Sequence, residues 1–101
     1  MRISGYEFEN QPSLHIHPNP SKDKFRINFT LLEKSQVKIN IHDNNGRYIL
    51  TLTDNSEWPK GENTFEWDGK DLQGNPVPSG IYIIQLHTPS VIKTGKAVLI
   101  R

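Results

Sequence analysis

The sequence predicts an all-β domain, a two-layer antiparallel sandwich, and three observations carry that prediction. From Leu14 onward, apolar and polar residues alternate with a period of two in one short segment after another, as half-buried strands do. The pieces between are rich in Gly, Pro, Asn and Asp, the residues that turns require. Apolar residues make up only 34% of the chain. Two layers with one wet face each tolerate that better than a multilayered fold.

The first thirteen residues, MRISGYEFENQPS, keep no steady period and read as a linker or lead-in, with Tyr6 and Phe8 available to dock on the domain. The domain itself is expected over 14–101. LHIH near its start is a first short strand. KFRINFTL places Phe25, Ile27, Phe29 and Leu31 on one face, and Arg26, Asn28 and Thr30 on the other. VKINIH does the same with Val37, Ile39 and Ile41. RYILTLT, NTFEW, GIYIIQLHT and KTGKAVLIR follow, and no segment carries a helical period. About seven short strands is the number expected of an immunoglobulin-like β-sandwich.

The connections agree. In DNNGR, Asn45-Gly46 is a hairpin signal whose two positions tolerate positive φ. In WPKGE, Pro59 fixes φ and Gly61 reverses the chain. HPNPS sets Pro18 and Pro20 around Asn19. Two missing amide donors forbid a central strand there and mark an edge kink.

Composition excludes several classes of function. A chain of 101 residues suits one domain. Twelve Lys and Arg face eleven Asp and Glu, and the basic residues are scattered. That argues against a nucleic-acid footprint or a polybasic membrane patch. With no cysteine, disulfides, thiolate metal sites and a cysteine nucleophile are excluded. No run approaches the roughly 20 apolar residues of a membrane span. MRISGYEFEN lacks the apolar stretch of a signal peptide, so an exported protein of this kind takes its inner-membrane signal from outside these residues.

The most unusual stretch is WDGKDLQGNPVPSGIYIIQL, from Trp67 to Leu86. Asp68 and Asp71, with Gly69, Gly74 and Asn75, have only a faint likeness to a calcium loop. Lys70 and Leu72 interrupt the alternation of oxygen ligands, and no closing Glu follows. The reading preferred is that Asp68 accepts hydrogen bonds from amides of its own turn while Gly69 takes a conformation other residues resist. Trp67 and Phe65 lie two apart and share a face, which points to core packing over ligand stacking. Ser79-Gly80 is expected to turn the chain sharply into IYIIQL. His15 and His17 share a strand face but lack a third ligand nearby, so no metal site is expected. His42 and His87 fall near strand ends. No Ser-His-Asp arrangement stands out, no cofactor is implied, and an enzyme is not expected.

HPNPS, VKINIHDNNGR, G…FEWDGKDLQGNPVPSGIYIIQL and KTGKAVLIR together resemble the C-terminal sorting domains of the type IX secretion system of certain Gram-negative bacteria. The resemblance spans Leu14 to Arg101. The WDG…SGIY pattern is also similar to the immunoglobulin-like domain of the flagellar hook-capping protein. What the resemblance implies is a non-catalytic signal domain at the end of a secreted cargo protein. Its partners are an outer-membrane translocon and a sortase-like peptidase, and its destination is the cell surface or the medium. Carried over by position, recognition falls on Gly80, Tyr82, Thr94, Lys96, Val98, Leu99, Ile100 and Arg101. Cleavage falls among Asn10, Gln11, Pro12 and Ser13. Either the chain is a piece cut from a longer one, which so short a lead-in favours, or a small protein keeps the domain alone.

The last strand is expected at a sheet edge, offering unpaired N–H and C=O groups for strand addition, with Lys93, Lys96 and Arg101 supplying charge that speeds encounter. The same cations serve equally to keep an edge strand from aggregating. The alternative reading is a spacer or adhesion domain binding carbohydrate or protein, using Trp58 or Tyr82.

Overall fold

The computed structural model describes residues 13–101, and Tyr6 and Phe8 lie outside the described residues. Seven strands follow in order: β1 (Ser13–His17), β2 (Phe25–Leu31), β3 (Ser35–Asp43), β4 (Tyr48–Trp58), β5 (Gly61–Trp67), β6 (Gly80–His87) and β7 (Ile92–Leu99). One sheet has the order β1-β2-β5 and the other β4-β3-β6-β7, and the pairings within both are antiparallel. This is the immunoglobulin-like β-sandwich that the alternation predicts. β4 remains paired to β3, which gives a three-on-four division of the strands.

The period of two explains the core. Phe25, Ile27, Phe29 and Leu31 of β2, Val37, Ile39 and Ile41 of β3, and Ile84 and Leu86 of β6 are all buried between the layers. Each such side chain contributes about 1.5–3 kcal/mol by leaving water. β6 departs from simple alternation. Ile81 and Ile83 point to the outer face, where Ile81 is exposed.

One connection and two strand ends differ in detail from expectation. At the β3–β4 hairpin only Gly46 is left-handed, with φ 87°. Gly46 N–H donates to Asp43 O at 3.0 Å and Asp43 N–H to Arg47 O at 2.8 Å. The turn is therefore a three-residue loop closed by a glycine bulge, and Asn45 keeps an ordinary φ. β4 runs past the expected Thr53 to Trp58 because shifts in its register to β3 absorb extra residues. Asn55 sits there at φ 52°, a conformation asparagine tolerates. β7 ends at Leu99, so Ile100 and Arg101, expected in the last strand, lie beyond it.

HPNPS does more than kink an edge. It carries the chain from the end of β1, in one sheet, to the outer edge of β7, in the other. Ser21 forms a parallel bridge to Leu99, with Ser21 N–H donating to Val98 O at 2.9 Å and Ile100 N–H to Ser21 O at 2.8 Å. One turn earlier, Asn19 uses its side-chain amide as a substitute peptide. Its Nδ2 donates to Lys96 O at 2.7 Å and its Oδ1 accepts from Val98 N–H at 2.9 Å. Proline without amide hydrogens on either side leaves the asparagine side chain to do the pairing.

β1 lies over β7, and Ile16 packs into the space that Gly95 leaves. A Cβ there would stand 2.5 Å from Ile16 Cδ1 and 3.4 Å from Leu14 Cδ2. Gly95→Val is expected to cost about 1–3 kcal/mol through overpacking. Urea denaturation measures it, and adding Ile16→Ala in the same chain should make the two costs less than additive.

Candidate functional site

The segment between β5 and β6 is a small structured unit. Trp67, the last residue of β5, is buried, with its ring stacked on Phe25 at 5.7 Å and edge-on to Tyr82 at 5.4 Å. Its Nε1–H donates to Lys70 O at 2.9 Å, which fixes the start of the loop to the core. Gly69 has φ 75°, and a Cβ there would lie 2.6 Å from Asp23 O, so glycine is required by both backbone conformation and space. Val77 N–H then donates back to Gly69 O at 2.9 Å. Asp68 Oδ1 accepts from Lys70 N–H at 3.1 Å. Asp71 Oδ1 accepts from Gln73 N–H at 3.0 Å and Asn75 N–H at 2.9 Å. Both carboxylates are occupied by the turns they belong to, as expected of Asp68; Asp71 does the same.

The loop closes on two ends. Tyr82 Oη–H donates to Pro78 O at 2.6 Å, resembling the corner by which a tyrosine secures the chain entering an immunoglobulin strand. Arg101 reaches in from the other side. Its N–H donates to Ser79 Oγ at 2.9 Å, its Nε to Val77 O at 2.8 Å and its Nη2 to Gly69 O at 2.8 Å. A planar guanidinium bridges two carbonyls on opposite limbs of the loop, which a lysine ammonium cannot do with the same geometry.

The residues expected to form a recognition surface divide sharply. Thr94, Lys96 and Ile100 are exposed and Val98 is half-buried. Tyr82 and Leu99 are core residues, 4% and 1% exposed, so neither is available to a partner of the folded domain. Arg101, expected to supply surface charge, commits its guanidinium to the loop. Gly80 is half-buried, pairs with Leu99 and has no left-handed φ. The conformational freedom expected of it belongs to Gly69 and Gly74 instead. Of the expected cleavage region, Asn10, Gln11 and Pro12 lie outside the described residues, while Ser13 is already in β1, paired with Thr30. Trp58, a candidate for ligand stacking, packs edge-on against Phe29 at 5.4 Å, lies 5.8 Å from Phe65, and buries its indole nitrogen.

His15 and His17 are exposed, and His17 Nε2 is 2.8 Å from Asn28 Nδ2. Among the described residues, no three His, Cys, Asp or Glu side chains are placed to hold a metal ion. Asp43 is held by its own turn. Its Oδ1 accepts from Arg47 N–H at 2.8 Å and Asn45 N–H at 2.9 Å, and its Oδ2 from Arg47 Nε at 3.1 Å. The Arg47 amide, foremost, holds the carboxyl below its usual range. Burial pushes the Tyr82 phenol up. A groove separates this hairpin turn from the loop, lined by Arg47, Tyr48, Asp71, Pro78 and Ile81 among others.

Sequence reasoning missed Asn19 and Ser21 as closers of an edge, and Gly95. The first two act on residues nearly eighty positions away, which no local pattern reveals. Gly95 had a signal: in IKTGKAVL the inward positions include Gly95 and Ala97, small residues where the opposite layer comes close.

Comparison with known proteins places the fold in a family. Residues 16–90 match the FlgD Ig-like domain family, and the chain belongs to it. The basal-body rod modification protein FlgD of Buchnera aphidicola is 40% identical over 72 residues. That alignment covers 70% of this chain and 29% of the Buchnera protein, so the chain spans under a third of the curated relative it matches. Among solved structures, latent dimeric PorU from Porphyromonas gingivalis superimposes with a TM-score of 0.69 at 16% identity, over 88% of this chain and 9% of PorU. PorZ, a surface component of the type IX secretion system of the same organism, gives 0.59 at 21% identity, over 88% and 12% of the two chains. At these identities the likeness is one of fold.

Two outcomes follow from the loop and the turn. Arg101→Ala should cost about 1–3 kcal/mol in urea denaturation, because two carbonyls lose charge-assisted bonds, and Arg101→Lys should restore less than half. Asp43 should titrate below an ordinary aspartate in a carbon-detected NMR titration. The turn's stabilisation, present above the unfolded-state value, should be lost only as pH falls through that lowered value.

Proposed function

We propose that this domain is a non-catalytic sorting label, carried on a cargo protein and read by the outer-membrane translocon of a type IX secretion system. The observation that carries the reading is that a sandwich of this shape, over 88% of the chain, also occurs in PorU and in PorZ, of which PorZ is described as an essential surface component of that system. The placement of side chains supports it. The loop richest in carboxylates and glycines is spent on its own folding, and its two aspartates are held by their own backbone amides. The exposed side of β7 stays open to a partner. A peptidase would then act in the lead-in, among Asn10, Gln11 and Pro12, ahead of the first strand. The cargo and its activity belong to the rest of a longer protein, and the label's destination is the surface or the medium.

Membership in the FlgD Ig-like domain family favours a second reading: a structural module within a larger assembly protein. One experiment separates the two. The full chain is fused behind a fluorescent reporter that carries an inner-membrane signal peptide, in a host possessing the translocon and in the same host lacking it. Reporter on the surface or in the medium of the first host alone is the expected outcome. Retention in the periplasm of both hosts would favour the structural module.

A further inference from the structure

The outer edge of β7 is closed along only half its length. The bonds to Asn19 and Ser21 show that the even-numbered residues of β7 turn their main-chain groups away from β6: Val98 N–H and O and Lys96 O point outward, as does Ile100 N–H just past the strand. The same alternation carries Thr94 N–H, Thr94 C=O and Lys96 N–H outward. Among the described residues these three have no hydrogen-bond partner. They form a short run of donor, acceptor and donor in the stretch before Asn19 begins to cap the edge.

The side chains around that run share a character. Ile92 is 59% exposed, and Thr94 and Lys96 are exposed beside it. On the same outer face stand Ile83 opposite Lys96 and Gln85 opposite Thr94. Neither β6 nor β7 contains an Asp or Glu. A strand laid here meets apolar surface, hydroxyl, amide and an exposed lysine, with no carboxylate from either strand to repel an acid.

We propose that the open half of the β7 edge, from Ile92 to Lys96, takes an extended acidic segment of a partner protein as an added strand. Main-chain bonds to Thr94 and Lys96 supply affinity. A carboxylate across from Lys96 and an apolar side chain across from Ile92 set the register. Asn19 ends the docking window, because a strand continuing past Lys96 would have to displace its side chain from Lys96 O and Val98 N–H. This deepens the sorting reading by naming where the label is read, and it rests on that reading only for the identity of the partner.

The test uses an end-capped, fluorescein-labelled peptide, Thr-Glu-Val-Glu-Val-Val-Thr, which sets a Glu across from Lys96 and a Val across from Ile92 on one face, and its counterpart with Lys for each Glu, titrated with the full chain by fluorescence anisotropy. Thr94→Pro removes an outward donor and leaves the β6 ladder intact. Tryptophan fluorescence, from Trp58 and Trp67 together, and thermal melting report whether it folds. The acidic peptide should bind more tightly than the basic one and weaken with salt. Affinity should fall at least about tenfold in Thr94→Pro and roughly fivefold in Lys96→Glu, which carries the test alone if the proline variant unfolds. Equal affinity for both peptides, or no loss in folded Thr94→Pro and Lys96→Glu, would overturn the proposal. So would concentration-dependent dimerisation of the chain that Thr94→Pro abolishes, since the edge would then hold a second copy. Reporter export is scored separately: acidic-peptide binding without export would sink the sorting reading and leave this one standing, whereas export with no peptide binding would do the reverse.

Discussion

The seat of Trp67 is the constraint on which the rest of the molecule depends. One large ring fills the end of the core between Phe25 and Tyr82, and its N–H is satisfied by the loop that leaves it. Removing such a side chain from a core costs about 3–5 kcal/mol. Everything near it is arranged around that ring. Gly69 turns in the only conformation and space available, Tyr82 covers the ring edge while anchoring Pro78, and Arg101 bolts the two limbs of the loop together. The long connection between β5 and β6 is therefore continuous with the core, although it lacks regular secondary structure.

That arrangement gives the final residue an unexpected task. Arg101 is structural, and Leu99 just before it is buried. The outward-facing residues of β7 are exposed or half-buried, while the inward-facing ones face β1 and the core. Asn19 and Ser21 divide that edge further, into a capped half and an open one. An exposed edge strand invites uncontrolled pairing. Capping half of it limits that hazard.

Much of the fold was legible because burial on one face imposes a period of two, and that period does not depend on tertiary partners. Each of the seven expected segments carries a strand, with differences at the ends of β4 and β7, and Trp67 and Asp68 play the parts their neighbours suggest. The errors have a common cause. Tyr82 looks like a surface aromatic in GIYIIQL because apolar residues flank it on both sides, and nothing local says which face is wet. Arg101 looks like a free terminal cation because its acceptors, Gly69 O and Val77 O, are main-chain carbonyls that no side-chain pattern advertises. Gly80 attracted a turn that Gly69 and Gly74 make, since a glycine's φ is set by the bonds around it and not by its identity.

The central claim is that the loop after Trp67 is scaffold, locked by the last residue of the chain. Native-state hydrogen exchange, on the full chain and on a chain lacking Ile100 and Arg101, tests it most directly. Loss of the lock should cut protection at the Trp67 indole N–H and the Val77 amide, while the ladder between β3 and β6 keeps its protection. Unchanged exchange at both sites would mean that the loop holds itself in place without Arg101, and the account would fail.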